Sequence, residues 1–125
     1  MMNLRLFPLL GLLGVATFNI SGTQKIEPVQ YGNGVLYSKN LCGKRVASGD
    51  RLNCEGLTGA HRTLPFGTQI RVTNLKADQS VIVTINDRGP YSKKDIIDLS
   101  PAAAQAIGLT MRNGRVPVRI DVLIY

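Results

Sequence analysis

The sequence predicts an all-β domain, a closed barrel or sandwich with one short helix. Two segments alternate apolar and other residues with a period of two, as strands with one buried face do. The first holds Val81, Val83 and Ile85, and the second runs from Val116 to Ile124. The one clear helix begins at Pro101 and is too short to be stable alone, so it is expected to pack on the sheet.

The amino-acid composition says more about the possible binding partners of the protein than about any reaction it catalyses. The 125 residues suit one domain, and with 6% aromatic residues and no Trp its core must be built from Val, Ile and Leu. The formal net charge is +7. Such a surface favours an anionic polymer: nucleic acid, anionic lipid or an acidic cell-wall glycan.

Residues 1–22 have the layout of a signal peptide: a charged start at Arg5, an apolar run from Leu6 to Phe18, then small and polar residues. The run is short for a membrane span, and an uncleaved amphipathic anchor is the alternative. The first cysteine, Cys42, lies far beyond this run, so no lipid anchor is expected. We therefore expect an exported protein of the periplasm or outer envelope, without stable membrane insertion and without a nucleic-acid partner.

The two cysteines are predicted to pair. Cys42 and Cys54 are twelve positions apart in a Gly-rich segment, and in an oxidising compartment they most simply form one disulfide. Closing this loop would contribute about 2–3 kcal/mol. With His61 as the only histidine, the set is poor for zinc, so neither a metal nor another cofactor is expected.

The first half of the chain reads as linker, strand and loop. Residues 23–30 are polar and predict a linker before a domain that spans 31–125. A first strand is expected from Tyr31 to Tyr37, and residues 38–55 form a long loop that contains both cysteines.

The second half alternates strands and tight connections. A strand is expected over 69–74, with Ile70 and Val72 on one face, and a hairpin connection over 75–79 leads into the central strand. Ser100 is a good N-cap for a helix over 101–107, which Gly108 ends. In the last strand, Pro117 limits pairing.

Two carboxyl groups stand out. The central strand runs into Asn86-Asp87-Arg88-Gly89-Pro90, so Asp87 lies where a strand becomes a loop, a frequent place for a functional carboxylate. Asp98 follows an apolar pair and precedes the helix. The structural alternative is that Asp87 only forms an Asx turn and Asp98 only caps the helix.

Four blocks of the chain resemble the rare lipoprotein A family of the bacterial envelope, in the family's order and at its spacing. They are G-L-T-G-A-H-R-T-L-P-F-G-T (56–68), R-V-T-N-L (71–75), N-D-R-G-P (86–90) and I-I-D-L-S-P-A-A-A (96–104). The resemblance covers about Tyr31 to Tyr125, and residues 44–49 resemble the family's G-R-x-T-A-S-G block, shifted in detail.

The resemblance implies a six-stranded double-psi β-barrel with a groove across one face. It also implies an endolytic lytic transglycosylase that cuts peptidoglycan glycan strands, prefers strands without stem peptides and leaves 1,6-anhydromuramic ends. Asp87 matches the family's catalytic acid, and His61 matches a histidine that family members need. Asp98 matches a second acid of the groove, and Tyr37 an aromatic residue before the first groove loop.

One carboxyl group can serve this reaction, because the nucleophile is the 6-hydroxyl of the muramic acid itself. The acid protonates the leaving oxygen and then takes the proton of that hydroxyl, and we assign both steps to Asp87. His61 would orient Asp87 or bind the sugar, and Arg88 is expected to point toward the substrate or another acid.

Other contacts to the glycan are expected from Asp98, Arg88, Tyr37 and Thr58, with Lys44 and Arg45 as weaker candidates, whereas Phe66 and Tyr91 are expected to pack. Where the family has Trp-Tyr in its first strand, this chain has Leu36-Tyr37, so one platform for sugar stacking is missing. That difference favours the main alternative, an expansin-like module that binds wall glycan without cutting it. In either case the protein is expected to be a monomer. A secreted inhibitor or effector is a third interpretation.

Overall fold

The barrel is built from six strands and one helix. The computed structural model describes residues 29–37 and 39–124, so the predicted signal peptide and nearly all of the predicted linker lie outside the described residues. The elements are β1 (Gln30–Leu36), β2 (Thr58–Ala60), β3 (Gln69–Asn74), β4 (Gln79–Asp87), β5 (Asp95–Leu99), α1 (Pro101–Ala106) and β6 (Arg115–Val122), with a 3₁₀ turn at Lys39–Leu41.

Strand pairing closes this sheet on itself. The order around the barrel is β1-β5-β2-β4-β3-β6, and β6 pairs with β1. Two pairs are parallel, β1 with β5 and β2 with β4, while the other pairs are antiparallel. The predicted all-β barrel of six strands with one short helix is confirmed, and closure leaves no open sheet edge.

The core lies inside the barrel and under the helix. The predicted alternation is confirmed on β3, where Ile70 and Val72 are fully buried, and on β4, where Val83 and Ile85 are buried. Each such side chain contributes about 1.5–3 kcal/mol relative to an exposed one. The rest of the core comes from the remaining strands and the helix: Ile97, Leu99, Ala103, Ala104, Ile107, Leu109, Val116, Val118 and Ile120.

The helix begins as predicted. The Ser100 hydroxyl accepts a hydrogen bond from the Ala103 amide at 3.3 Å, and Pro101 takes the first helical position, where no amide hydrogen is needed. The same hydroxyl donates to the Gly56 carbonyl at 2.6 Å. Ser100 therefore caps the helix and ties it to the segment before β2, so Asp98 is not the cap.

Several features of the strands differ from the sequence prediction. Strand β1 begins at Gln30, the last residue of the predicted linker, and β5 was not predicted as a strand. Strand β6 ends at Val122, which leaves Ile124 exposed. The expected limit on pairing at Pro117 is not seen, since Pro117 pairs with Asn33 within the β1–β6 ladder and its carbonyl oxygen accepts a hydrogen bond from the Leu75 amide at 3.0 Å. Within the described part of the chain, no helix is long and apolar enough to cross a membrane.

Candidate active site

A disulfide-closed ribbon, residues 42–54, covers one outer face of the barrel. The predicted Cys42–Cys54 disulfide is confirmed, with the two Cα atoms 5.5 Å apart. Its two arms are joined by backbone hydrogen bonds between Gly43 and Leu52 and between Lys44 and Leu52, each 2.8 Å. The ribbon packs on the barrel through a small apolar cluster of Leu52 with Tyr37 and Ala60.

This ribbon and the residues that follow β1 and β4 meet at Asp87. The Ala47 amide donates to Oδ1 of Asp87 at 2.9 Å, and the Arg88 amide donates to the same oxygen at 2.8 Å. The Tyr37 hydroxyl donates to Oδ2. Both carboxylate oxygens are thus held by donors from three separate parts of the chain, and the Ser48 amide fixes the neighbouring Asn86 carbonyl at 3.1 Å.

Asp98 lies two strands away from Asp87. Ala60 on β2 pairs with Asp87 on one side and with Asp98 on the other. At normal strand spacing, the Cα atoms of Asp87 and Asp98 are about 10 Å apart across the sheet. The strands approach closely because residue 59 is glycine: a Cβ there would lie 2.9 Å from the Asp98 carbonyl oxygen.

Asp98 is the carboxyl with the clearest perturbation. Burial, followed by the negative charges of Asp95 and Asp87, raises the pKa of Asp98 to about 6. None of residues 29–37 and 39–124 donates a hydrogen bond to its carboxyl group. Asp95, by contrast, is held by the Arg115 guanidinium at 2.7 and 2.9 Å, and this hydrogen bond lowers its pKa.

His61 is buried, with 5% of its surface exposed, and both ring nitrogens have partners. Nδ1 accepts hydrogen bonds from the Thr63 and Leu64 amides, each 3.1 Å, so the proton is on Nε2, which donates to Oε1 of Gln30 at 2.9 Å. Burial, then the charges of Arg62 and Arg88, lowers the pKa of His61. Its backbone amide donates to the Asp87 carbonyl at 3.1 Å, so His61 touches Asp87 through the main chain.

Arg88 does not point toward a substrate position or an acid, so that expectation is wrong. Its guanidinium donates to the carbonyl oxygens of Leu64 at 2.9 Å and His61 at 3.2 Å. It also lies over the ring of Phe66, 4.1 Å from the centroid. Arg88 therefore braces the turn at residues 61–66, because that turn presents two carbonyl oxygens and an aromatic face to it.

Two other predicted glycan contacts are placed where direct contact is restricted. Tyr37 is only 7% exposed, and burial together with its hydrogen bond to Asp87 raises its pKa. The Thr58 hydroxyl oxygen is buried and has no hydrogen-bond partner among the described residues. Lys44, Arg45 and Arg51 lie on the exposed surface of the ribbon, and Arg45 and Arg51 face each other across its two arms.

Sequence reasoning missed the contributions of Ala47 and Gln30. Ala47 acts through its backbone amide, which leaves no signature in a side-chain motif, and Gln30 lay in the predicted linker. A cavity of about 760 Å³ lies elsewhere, between the 63–69 turn and residues 122–124, and neither Asp87 nor Asp98 lines it. No group of three His, Cys, Asp or Glu side chains within the described ranges could hold a metal.

The comparisons with known proteins agree with this geometry. The family described as lytic transglycolase matches residues 29–120. The "Probable endolytic peptidoglycan transglycosylase RlpA" of Synechocystis is 50% identical over 95 residues, which are 76% of this chain and 29% of that protein. The Haemophilus influenzae "Endolytic peptidoglycan transglycosylase RlpA" is 46% identical over 103 residues, 82% of this chain and 36% of that protein.

Among solved structures, the apo-expansin of Clavibacter michiganensis superposes with a TM-score of 0.61 at 19% identity, over 78% of this chain and 51% of that one. This likeness concerns the fold alone. The chain spans about a third of the length of the two curated relatives described above. The matched residues include the whole barrel except the end of β6, and the chain belongs to the lytic transglycolase family of double-psi β-barrels.

Proposed function

We propose that this domain is an endolytic peptidoglycan lytic transglycosylase. The observation that carries the proposal is the pair of carboxyl groups on either side of Ala60, one held by three donors and the other with a raised pKa. Two curated relatives whose names state this activity match more than three quarters of the chain. The predicted export of the protein would bring it to this substrate.

We propose that the two carboxyl groups divide the proton transfers that the sequence assigned to Asp87 alone. The three donors fix the orientation of the Asp87 carboxylate, and we assign to it the acceptance of the proton from the C6 hydroxyl of muramic acid. Asp98, with a pKa of about 6, holds a proton at mildly acidic pH and is suited to donate it to the leaving oxygen. The C1–O4 bond breaks, the O6–C1 bond forms, and no water is consumed.

His61 supports this site as a positioning residue in our proposal. Because its ring is buried and both nitrogens have partners, it would orient the turn at residues 63–64 and the backbone of Asp87 rather than bind a sugar. Tyr37 would fix Asp87 in the same way, through its hydroxyl.

The charge of the ribbon supports a preference for strands stripped of stem peptides. Removal of a stem peptide leaves a free lactyl carboxylate on each muramic acid, so a stripped strand is a polyanion. Arg45 and Arg51 face each other on the exposed ribbon, and each guanidinium donates to a carbonyl oxygen of the ribbon, Arg45 to Gly49 at 2.8 Å and Arg51 to Gly43 at 3.0 Å. Both positive charges remain on the exposed surface, where they would attract such a strand.

A digest of purified, stem-peptide-stripped sacculi, read by mass spectrometry, tests the proposal. Wild-type protein is expected to release fragments with 1,6-anhydro ends, and Asp87→Asn and Asp98→Asn are each expected to release at least a hundredfold less. Asp78→Asn, an exposed turn residue at the far end of β4, is the matched control and should behave as wild type. Fragments with reducing ends would instead mean hydrolysis.

The second candidate is an expansin-like module that binds and loosens wall glycan. Two observations favour it: the fold likeness to an expansin, and the occupation of both Asp87 oxygens by hydrogen bonds. If wild-type protein sediments with stripped sacculi but releases no soluble fragment, this second function is the correct one.

A further inference from the structure

The side chain of Tyr91 is exposed to solvent next to the carboxyl groups of Asp87 and Asp98. It was expected to pack, but 82% of its surface is exposed, so its ring contributes little to the core. Of the other aromatic residues of the described chain, Tyr37 is buried, Phe66 is covered on one face by Arg88, and Tyr31 lies on β1 opposite Arg119. Among the described residues, Tyr91 has the most exposed aromatic ring, and it lies close to Asp98.

Gly89 brings this ring close to Asp98. A methyl group added at Gly89 would lie 3.7 Å from Cε2 of Tyr91 and 3.4 Å from Oδ2 of Asp98. The ring edge and the carboxylate are therefore no farther apart than these two distances together, about the dimension of one sugar ring. The Tyr91 hydroxyl also lies near enough to Tyr37 to contribute to the raised pKa of that residue.

The loop that presents Tyr91 is held from both sides. The Arg62 guanidinium donates to the carbonyl oxygens of Pro90 at 2.7 Å, Ser92 at 3.3 Å and Asp95 at 2.8 Å, which bracket Tyr91 in the chain. A fixed backbone lowers the entropy lost when a ligand orders the ring. A tyrosine on such a loop offers a large, rigid contact area with only two side-chain torsions to restrict.

We propose that Tyr91 is the sugar-stacking platform of the groove, which binds the apolar face of the pyranose ring next to the bond to be cut. One face of a pyranose is lined with C–H groups, and these pack on an aromatic ring while the hydroxyls remain free for hydrogen bonds. A sugar seated there has Asp98 at its edge. This platform supplies the stacking surface that Leu36 does not. The inference rests on the proposed function, because the ligand is the same glycan strand.

The test measures binding and cleavage of stripped glycan strands for three variants at this position. Tyr91→Ala and Tyr91→Leu are expected to weaken binding about tenfold or more, because each removes the aromatic face, while Tyr91→Phe keeps it and should bind within about twofold of wild type. Binding is measured by co-sedimentation in the Asp87→Asn background, so that cleavage does not remove the ligand. With Asp87 intact, the loss should fall mainly on KM rather than kcat.

Tyr31→Ala is the matched control, since Tyr31 is another exposed tyrosine, 62% accessible, which lies on β1 opposite Arg119. It should bind and cleave as wild type does. Wild-type binding by Tyr91→Ala or Tyr91→Leu, with cleavage by the parent intact, would overturn the stacking platform and leave the proposed function standing. A parent protein that neither binds nor cleaves would overturn both.

Discussion

The Tyr37 hydroxyl donates a hydrogen bond to Oδ2 of Asp87 across fifty positions of the chain. Tyr37 follows β1 and Asp87 ends β4, two strands that are not neighbours in the barrel. The contact therefore depends on the closed sheet as a whole. It makes the first strand, which carries no acid of its own, part of the environment of the proposed catalytic carboxylate.

Tyr37→Phe is expected to lower cleavage of stripped sacculi about 10- to 100-fold, because a hydrogen bond to a charged group is worth about 1.5–3 kcal/mol and each 1.4 kcal/mol is tenfold in rate. The Ala47 and Arg88 amides still hold Oδ1, so some activity remains. The measurement is the initial rate of fragment release across pH, with thermal unfolding of the variant as the control. An unchanged pH–rate profile and rate would show that Tyr37 does not position Asp87.

Short-range sequence patterns correctly predicted the central strand and the helix. The alternation of Val81, Val83 and Ile85 places β4, and the Ser100–Pro101 pair places the helix, because both signals arise within a few residues. Strand β5 was not predicted because its five residues include two acids. Its apolar residues, Ile97 and Leu99, indicate a strand only once their pairing with distant strands is known.

The candidate active site, like the fold, was predicted only in part. Its disulfide and its two acids are visible in the sequence, and the resemblance added a role for each acid. The direction of a long side chain cannot be predicted from the sequence. Arg88 binds two carbonyl oxygens and Tyr91 points outward. The conformations of the 61–66 turn and of the 88–95 loop decide which groups each side chain can reach.

Asp98 should contribute to the pH dependence of the free energy of unfolding. Its folded pKa of about 6 lies above the ordinary value of 3.8, so the folded protein holds more protons than the unfolded chain between these values. The free energy of unfolding therefore falls as pH rises through this window. Asp98→Asn removes that slope, and we expect it to stabilise the protein by about 1–2 kcal/mol at pH 7, a figure reduced for the partial exposure of the side chain. Urea unfolding at pH 4, 5, 6 and 7 measures it, and parallel curves for the two proteins would contradict it.

His61 should act in the opposite direction. Its folded pKa is lowered from the ordinary value of 6.5, so below that pH the unfolded chain binds a proton that the folded protein resists. The free energy of unfolding then falls as pH drops below 6.5. His61→Gln is expected to reduce this loss of stability at acidic pH. It is also expected to lower stability at pH 7, because the side chain that accepts hydrogen bonds from the Thr63 and Leu64 amides is altered. Urea titrations at pH 5 and 7 measure both effects, and an unchanged difference between the two pH values would refute the assignment.

The disulfide should matter to activity beyond its effect on stability. The Cys42→Ser, Cys54→Ser double variant is expected to lose about 2–3 kcal/mol of unfolding free energy, as the loop-closure estimate gives. It should also lose activity at temperatures where it is fully folded, because the ribbon carries the Ala47 amide that holds Oδ1 of Asp87 and the Ser48 amide that holds the residue before it. The measurement compares fragment release with the folded fraction over a range of temperature. If activity follows the folded fraction alone, the ribbon only stabilises the barrel; if it falls while the protein remains folded, the ribbon positions Asp87.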